Sequence, residues 1–182
     1  MLLLADDRHD VLDPHGLTAA EIQTRQITPH YLAALQQIPG WQGSYLAQTG
    51  PQLGIRESRH LRGIDKVLGD DALTGRRRAD AIARCGWPIE SHVEQGHTHY
   101  VPIKDDGWYH IGLDALRSET TPNLFAAGRL TAADAQAYAS LRVMGTSFAT
   151  GHAAGVAAAH FADFGVDVTR VQSELKRQGA LI

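Results

Sequence analysis

Three pieces of sequence decide how this chain is read: Asn123-Leu124-Phe125-Ala126-Ala127-Gly128-Arg129, Ala139-Ser140-Leu141-Arg142-Val143-Met144-Gly145-Thr146, and the run through Gly151-His152-Ala153-Ala154-Gly155. The first is short, apolar and stops at glycine, the pattern of a buried strand entering a tight turn. Ser140 to Phe161 is the most helical and least polar part of the chain, with Ser147 or Thr146 placed to cap its main segment. Gly151 and Gly155 fall one helical turn apart on the same face as Ser147 and Ala159, a smooth face that another backbone can approach closely. Strand, glycine turn and helix together make a cradle for a large planar or phosphorylated ligand. Glycine permits close backbone approach, and the free N–H groups of a helix start hold negative charge. A glycine-containing packing helix is the competing reading of the same residues.

Upstream, Met1 to Ala5 reads as a short strand and the Asp-rich segment around Pro14 and Gly16 as a turn region. Thr18 with Glu21 has capping-box spacing and predicts a helix to about Gln37, bent or divided at Pro29 and stopped by Pro39-Gly40. Tyr45 to Ser58 reads as a strand region broken by Gly50-Pro51 and Gly54. Asp70 to Ala83 reads as a helix with Arg76, Arg77 and Arg78 on a solvated face. Trp87-Pro88-Ile89 begins an extended piece. His99 to Pro102 and Trp108 to Ile111 are expected to pair as a hairpin around Asp105-Asp106-Gly107. Val168 to Gln178 reads as a final exposed helix.

The 182 residues suffice for one domain with at most a small appendage, and a chain of this size buries roughly 70 % of its extended surface. At 43 % hydrophobic and 20 % charged it is not a disordered chain, and its apolar runs are too short for a membrane span. Seventeen Lys and Arg against 20 Asp and Glu leave a formal charge of -3, which gives no bulk electrostatic case for nucleic acid or an anionic membrane. One cysteine makes no internal disulfide, and the start lacks a basic leader, so a cytoplasmic setting is expected.

The strings Gly54-Ile55-Arg56-Glu57-Ser58-Arg59 and Trp87-Pro88-Ile89-Glu90-Ser91-His92 precede the 123–129 and 139–146 segments in order. Together, from Thr18 to Phe161, they resemble the C-terminal half of FAD-dependent oxidoreductases of the glutathione-reductase-like superfamily, in the branch ending in Asn-Leu-(apolar)-(apolar)-Ala-Gly-Arg. The resemblance implies a mixed α/β (α+β) chain: an incomplete FAD-binding, Rossmann-like domain with a substrate-domain portion. Residues 1–115 would be the substrate-domain-like and connecting part, 116–165 the closing portion of the FAD domain, and 166–182 a C-terminal helix. It further implies FAD contact at Gly128, Arg129, Arg142, Val143, Met144, Gly145 and Thr146. Backbone donors near Gly145 and Thr146 would stabilise charge on the reduced ring. For Arg129 and Arg142 the alternative is a surface or structural ion pair; for Met144 it is ordinary packing.

The chain carries no Gly-x-Gly-x-x-Gly fingerprint with its following acidic residue. The reading is therefore a split subunit of a heteromeric flavoprotein dehydrogenase, whose complementary subunit carries the dinucleotide motif. The site would lie between chains, taking a small polar substrate and passing electrons to an acceptor protein. Arg56 is the candidate to orient a substrate anion through its rigid donor fork, a structural salt bridge being the competing use. His92 is the candidate acid/base, with an ordinary hydrogen-bonding histidine as its alternative. Gly112 and Asp114 depart from the family pattern. A noncatalytic assembly or regulatory subunit is the runner-up.

Glu90, His92, Glu94, His97 and His99 match no strong metal motif, and no metal is expected. Tyr100, Trp108, Tyr109 and His110 line a pocket or cover the sheet. Cys85 has no second cysteine to pair with, which excludes a disulfide-reductase pair on this chain and favours packing.

Overall fold

Asp13, not Thr18, opens the first helix. In the computed structural model, which describes residues 9–94 and 97–182 and the side chains outside 92–97, α1 runs Pro14–Leu35. The Asp13 carboxylate accepts the Gly16 N–H at 2.8 Å, and Pro14 sits in the first turn, where a missing donor is harmless. Thr18 instead donates to the Pro14 carbonyl at 2.9 Å. Glu21 takes the Arg25 guanidinium and the Leu53 N–H, the latter at 2.6 Å. Pro29 lies inside α1 without dividing it, preceded by Thr24 and Thr28, whose hydroxyls bond back to the Ala20 and Thr24 carbonyls. The expected strand at Met1 to Ala5 lies outside the described residues.

The chain falls into two compact units, Met1–Ser58 and Arg59–Ile182. In the first, the strand expected over 45–58 does not form. Side chains of α1 and its end hold that segment as irregular backbone: Gln36 donates to the Ser44 carbonyl at 2.8 Å and Arg25 to Thr49 at 2.6 Å.

The second unit holds the core. Its first helix, α2 (Gly69–Thr74), stops far short of the expected Ala83, because Gly75 turns left-handed at φ 64°. The three arginines that follow are not a helix face. Arg76 pairs with buried Asp71 at 2.8 Å, Arg78 bridges Asp65 and Asp80, and Arg77 lies over the Trp108 ring. Residues 81–85 form a strand, β1 (Ala81–Cys85), antiparallel to β4 (Tyr109–Gly112). A separate antiparallel pair joins β2 (Ile89–Glu94) to β3 (His97–Val101), the extended piece expected after Trp87.

The expected hairpin between residues 99–102 and 108–111 is therefore absent. Burial explains the sorting: Tyr109 and Ile111 are fully buried and pair with the equally buried Cys85 and Ala83, while the polar β3 pairs with β2. Between them, Asp105 and Asp106 take positive φ in a single 3-10 turn that redirects the chain. Neither described sheet is parallel.

Residues 123–129 make one bridge, Phe125 to Arg117, rather than a strand; Leu124 is exposed where a buried strand would cover it. The tight turn does form, at Gly128 with φ 60°, and continues as a 3-10 turn to Leu130. The helical run breaks in two: α3 (Ala135–Leu141) and α4 (Met144–Phe164), joined through Arg142 and an extended Val143. Val143 is the N-cap of α4, so neither Thr146 nor Ser147 caps it.

The last helix, α5 (Val168–Arg177), is a cover rather than an exposed helix. It is amphipathic, buries Val171 and Leu175, and ties to β1 through Gln172, which donates to the Ala81 carbonyl at 2.9 Å. Among the described residues no helix is long and apolar enough to cross a membrane.

Candidate functional site

The N-terminus of α4 is built on a buried polar knot. Ser140, on α3, donates to the Trp87 carbonyl at 2.6 Å and accepts the Tyr109 hydroxyl at 3.0 Å. Cys85 lies 3.5 Å from the Ser140 hydroxyl and accepts the Thr146 hydroxyl at 3.3 Å. Burial, then the neighbouring Cys85, raises the Tyr109 hydroxyl far above its ordinary range. Strands β1 and β4, helix α3 and the first turn of α4 are thus pinned at one point. The Thr146 side chain faces this knot.

Above the knot, the first turn of α4 is open. Val143 supplies no side-chain cap and the turn holds no acidic residue, so its N–H groups and the positive end of a 21-residue helix dipole remain for an anion. Gly145 sits at this opening; a Cβ built there meets nothing within 4 Å among the described residues. Met144 beside it is 79 % exposed, contrary to a packing role within this unit.

The Gly128 turn is fastened to the same helix. Its N–H donates to Thr150 Oγ1 at 3.0 Å, and a Cβ at Gly128 would lie 3.3 Å from Ser147 Oγ. The structure thus brings together Gly128, Val143, Met144, Gly145 and Thr146. Arg129 is exposed on the turn, and Arg142 reaches back to the Glu90 carbonyl at 3.4 Å, linking the α3–α4 junction to β2. A glycine turn and an uncapped helix start with clear space before it fit the phosphate-bearing body of a dinucleotide.

The two substrate-side candidates fall in different units. Arg56 is exposed and belongs to the Met1–Ser58 unit. Position 92 lies on β2 two residues beyond Glu90, but the His92 side chain lies outside the described residues. The departures from the family pattern have local uses: Asp114 pairs with Arg117 at 2.6 Å, and a Cβ at Gly112 would collide with Asp80 and Arg78. Of the aromatics, Tyr109 belongs to the knot, and Trp108 is flanked by Arg77 and Arg84, whose guanidiniums lie 3.2 and 4.0 Å from the ring centroid. His110 accepts the Arg78 N–H at 2.9 Å; burial and then Arg77 and Arg84 hold its pKa below the ordinary value.

Sequence reasoning missed Thr150 and the knot around Cys85. The legible signal for Thr150 was a threonine one turn after Thr146 on a largely apolar helix.

A protein-family model described as FAD dependent oxidoreductase matches residues 4–178. No curated protein and no solved structure matches the chain. The family match runs through both units and ends inside the C-terminal segment, so it takes in the glycine turn and the open helix start as parts of one sequence pattern. The match indicates FAD as the cofactor, and the chain belongs to the FAD dependent oxidoreductase family.

Proposed function

We propose that this chain is the closing subunit of a flavoprotein dehydrogenase, with its FAD held between it and a complementary polypeptide bearing the Gly-x-Gly-x-x-Gly fingerprint that this sequence lacks. The observation that carries the reading is the uncapped start of α4, where Gly145 opens on clear space beside the Gly128 turn. Support for a complementary wall comes from the outer face of α4. Met144, Phe148, Gly151 and Gly155 are all exposed there in a continuous stripe of apolar and small residues.

In this reading the N–H groups of Met144, Gly145 and Thr146 hold an anionic part of the cofactor, and Gly128 lets the backbone approach it. Arg129 and Arg142 add positive charge at the edge of the site. Arg56 orients an anionic group of a small polar substrate, and His92 accepts the proton released as the substrate is oxidised. Bound FAD supplies the hydride acceptor, and an electron-acceptor protein returns it to the oxidised form. The lone buried thiol of Cys85 suits a reducing, cytoplasmic setting.

The test is flavin content. The chain alone should retain little FAD, whereas coexpression with its complementary polypeptide should yield a yellow complex that substrate bleaches. Stoichiometric FAD on the isolated chain would overturn the shared site. A yellow complex that no reductant substrate bleaches would instead support the noncatalytic assembly role.

A further inference from the structure

We propose that Thr150 is a positioning residue for the flavin site: its buried hydroxyl locks the Gly128 turn to the first turn of α4, so that two separate cofactor-facing backbones act as one rigid cradle. Thr150 is fully buried. Its Oγ1 donates to the Thr146 carbonyl at 2.8 Å, which leaves its lone pairs for the Gly128 N–H at 3.0 Å. A hydroxyl that only relieved its own burial would need one partner. This one bridges the carbonyl of a residue at the helix start and the amide of the glycine turn, 22 positions upstream in sequence.

The turn needs such a tether. Gly128 holds φ 60°, one of several conformations equally open to glycine, so its own backbone does not fix the turn, and the α3–α4 junction is irregular at Arg142 and Val143. The hydroxyl is therefore placed where a shift of the turn relative to the helix would be felt by both backbones at once. Thr150 need not touch FAD to set its affinity.

The inference rests on the site placement proposed above, and the experiment separates the two. In the FAD-containing complex, Thr150→Val keeps the volume but removes the acceptor for the Gly128 amide, while Thr150→Ser keeps the hydroxyl. The expected result is FAD binding weakened roughly tenfold in the valine variant, with a shifted flavin midpoint potential, and the serine variant within about threefold of the parent. Equal loss in both variants, or none in either, would overturn the positioning role. Gly145→Val serves as the control for the site itself: if it retains FAD at parental affinity, the placement fails and the inference with it. Should Thr150→Val not fold, amide exchange in the parent complex decides. A slowly exchanging Gly128 amide supports the tether, and one exchanging as fast as an open loop refutes it.

Discussion

Thr146 donates its hydroxyl to the Sγ of Cys85 over 3.3 Å, so this residue in the first turn of α4 turns its side chain into the core. Cys85 is fully buried, touches Ser140 as well, and belongs to structure rather than to redox chemistry. Native protein should react with a thiol reagent only as fast as it unfolds. Thr146→Val should cost about 1 kcal/mol of stability through the lost bond, while FAD content of the complex stays at the parental level. A large loss of FAD at unchanged stability would instead assign the hydroxyl to the cofactor.

Replacing Gly128 by alanine combines two penalties. The residue holds φ 60°, which costs an L side chain about 1–2 kcal/mol, and the added methyl would sit 3.3 Å from Ser147 Oγ. Thermal unfolding should fall accordingly, and the complex should lose FAD beyond what the same destabilisation produces elsewhere in the unit. The matched comparison is Asp134→Ala, far from the glycine turn in its bonding.

Asp134 gives that comparison its own physical content. Its carboxylate caps α3 by accepting the Ala137 N–H at 2.8 Å and also accepts the Gly69 N–H at the start of α2 at 3.0 Å. Removing it should cost about 1–2 kcal/mol in denaturant unfolding. Gly69→Ala should be at least as damaging, since a Cβ there would stand 2.7 Å from the Gln136 Cβ. If both variants unfold with the parent, the two helices are held together by something other than this joint.

His110 predicts a pH dependence. Its pKa is lowered in the folded chain by burial and by Arg77 and Arg84, its Nδ1 accepts the Arg78 N–H, and its buried Nε2 has no partner among the described residues. The unfolded chain therefore binds the proton first. The stabilisation is complete above the unfolded pKa near 6.5 and is lost as pH falls through the lower, folded one. Thermal midpoints should drop from about pH 7 to 5, and His110→Asn, which keeps an acceptor but does not titrate, should flatten that slope. An identical slope in the variant would assign the effect to other groups.

What the sequence disclosed followed from how local the cause was. The break into α3 and α4 turns on an extended Val143 that follows Arg142, and no residue type there forbids a helix. The Gly128 turn was legible because glycine before a polar residue is a local signal. The pairing of β1 with β4 was not, because it depends on two distant segments both being buried, whereas Asp105-Asp106-Gly107 advertises a hairpin to anyone reading neighbours alone. Arg76 to Arg78 read as a helix face because their partners Asp71, Asp65 and Asp80, and the Trp108 ring, are set by folding, although Arg76 and Arg77 do stay exposed. The candidate cofactor backbones were found through family resemblance, and the hydroxyl that ties them together was visible only in three dimensions.

The outer face of α4 gives the complementary-wall reading its sharpest test. Phe148 is 77 % exposed, so Phe148→Glu removes no buried contact within this unit and should leave its unfolding within about 0.5 kcal/mol of the parent. If a second polypeptide covers the stripe from Met144 through Gly151, the same glutamate would be carried into an apolar contact with no cation to meet it among the stripe residues, and assembly should fail. Size-exclusion chromatography of the coexpressed pair, read at the flavin absorbance, should then show the variant eluting alone and colourless. A variant that still assembles into a yellow complex would mean that the second wall of the flavin site does not lie against this helix face.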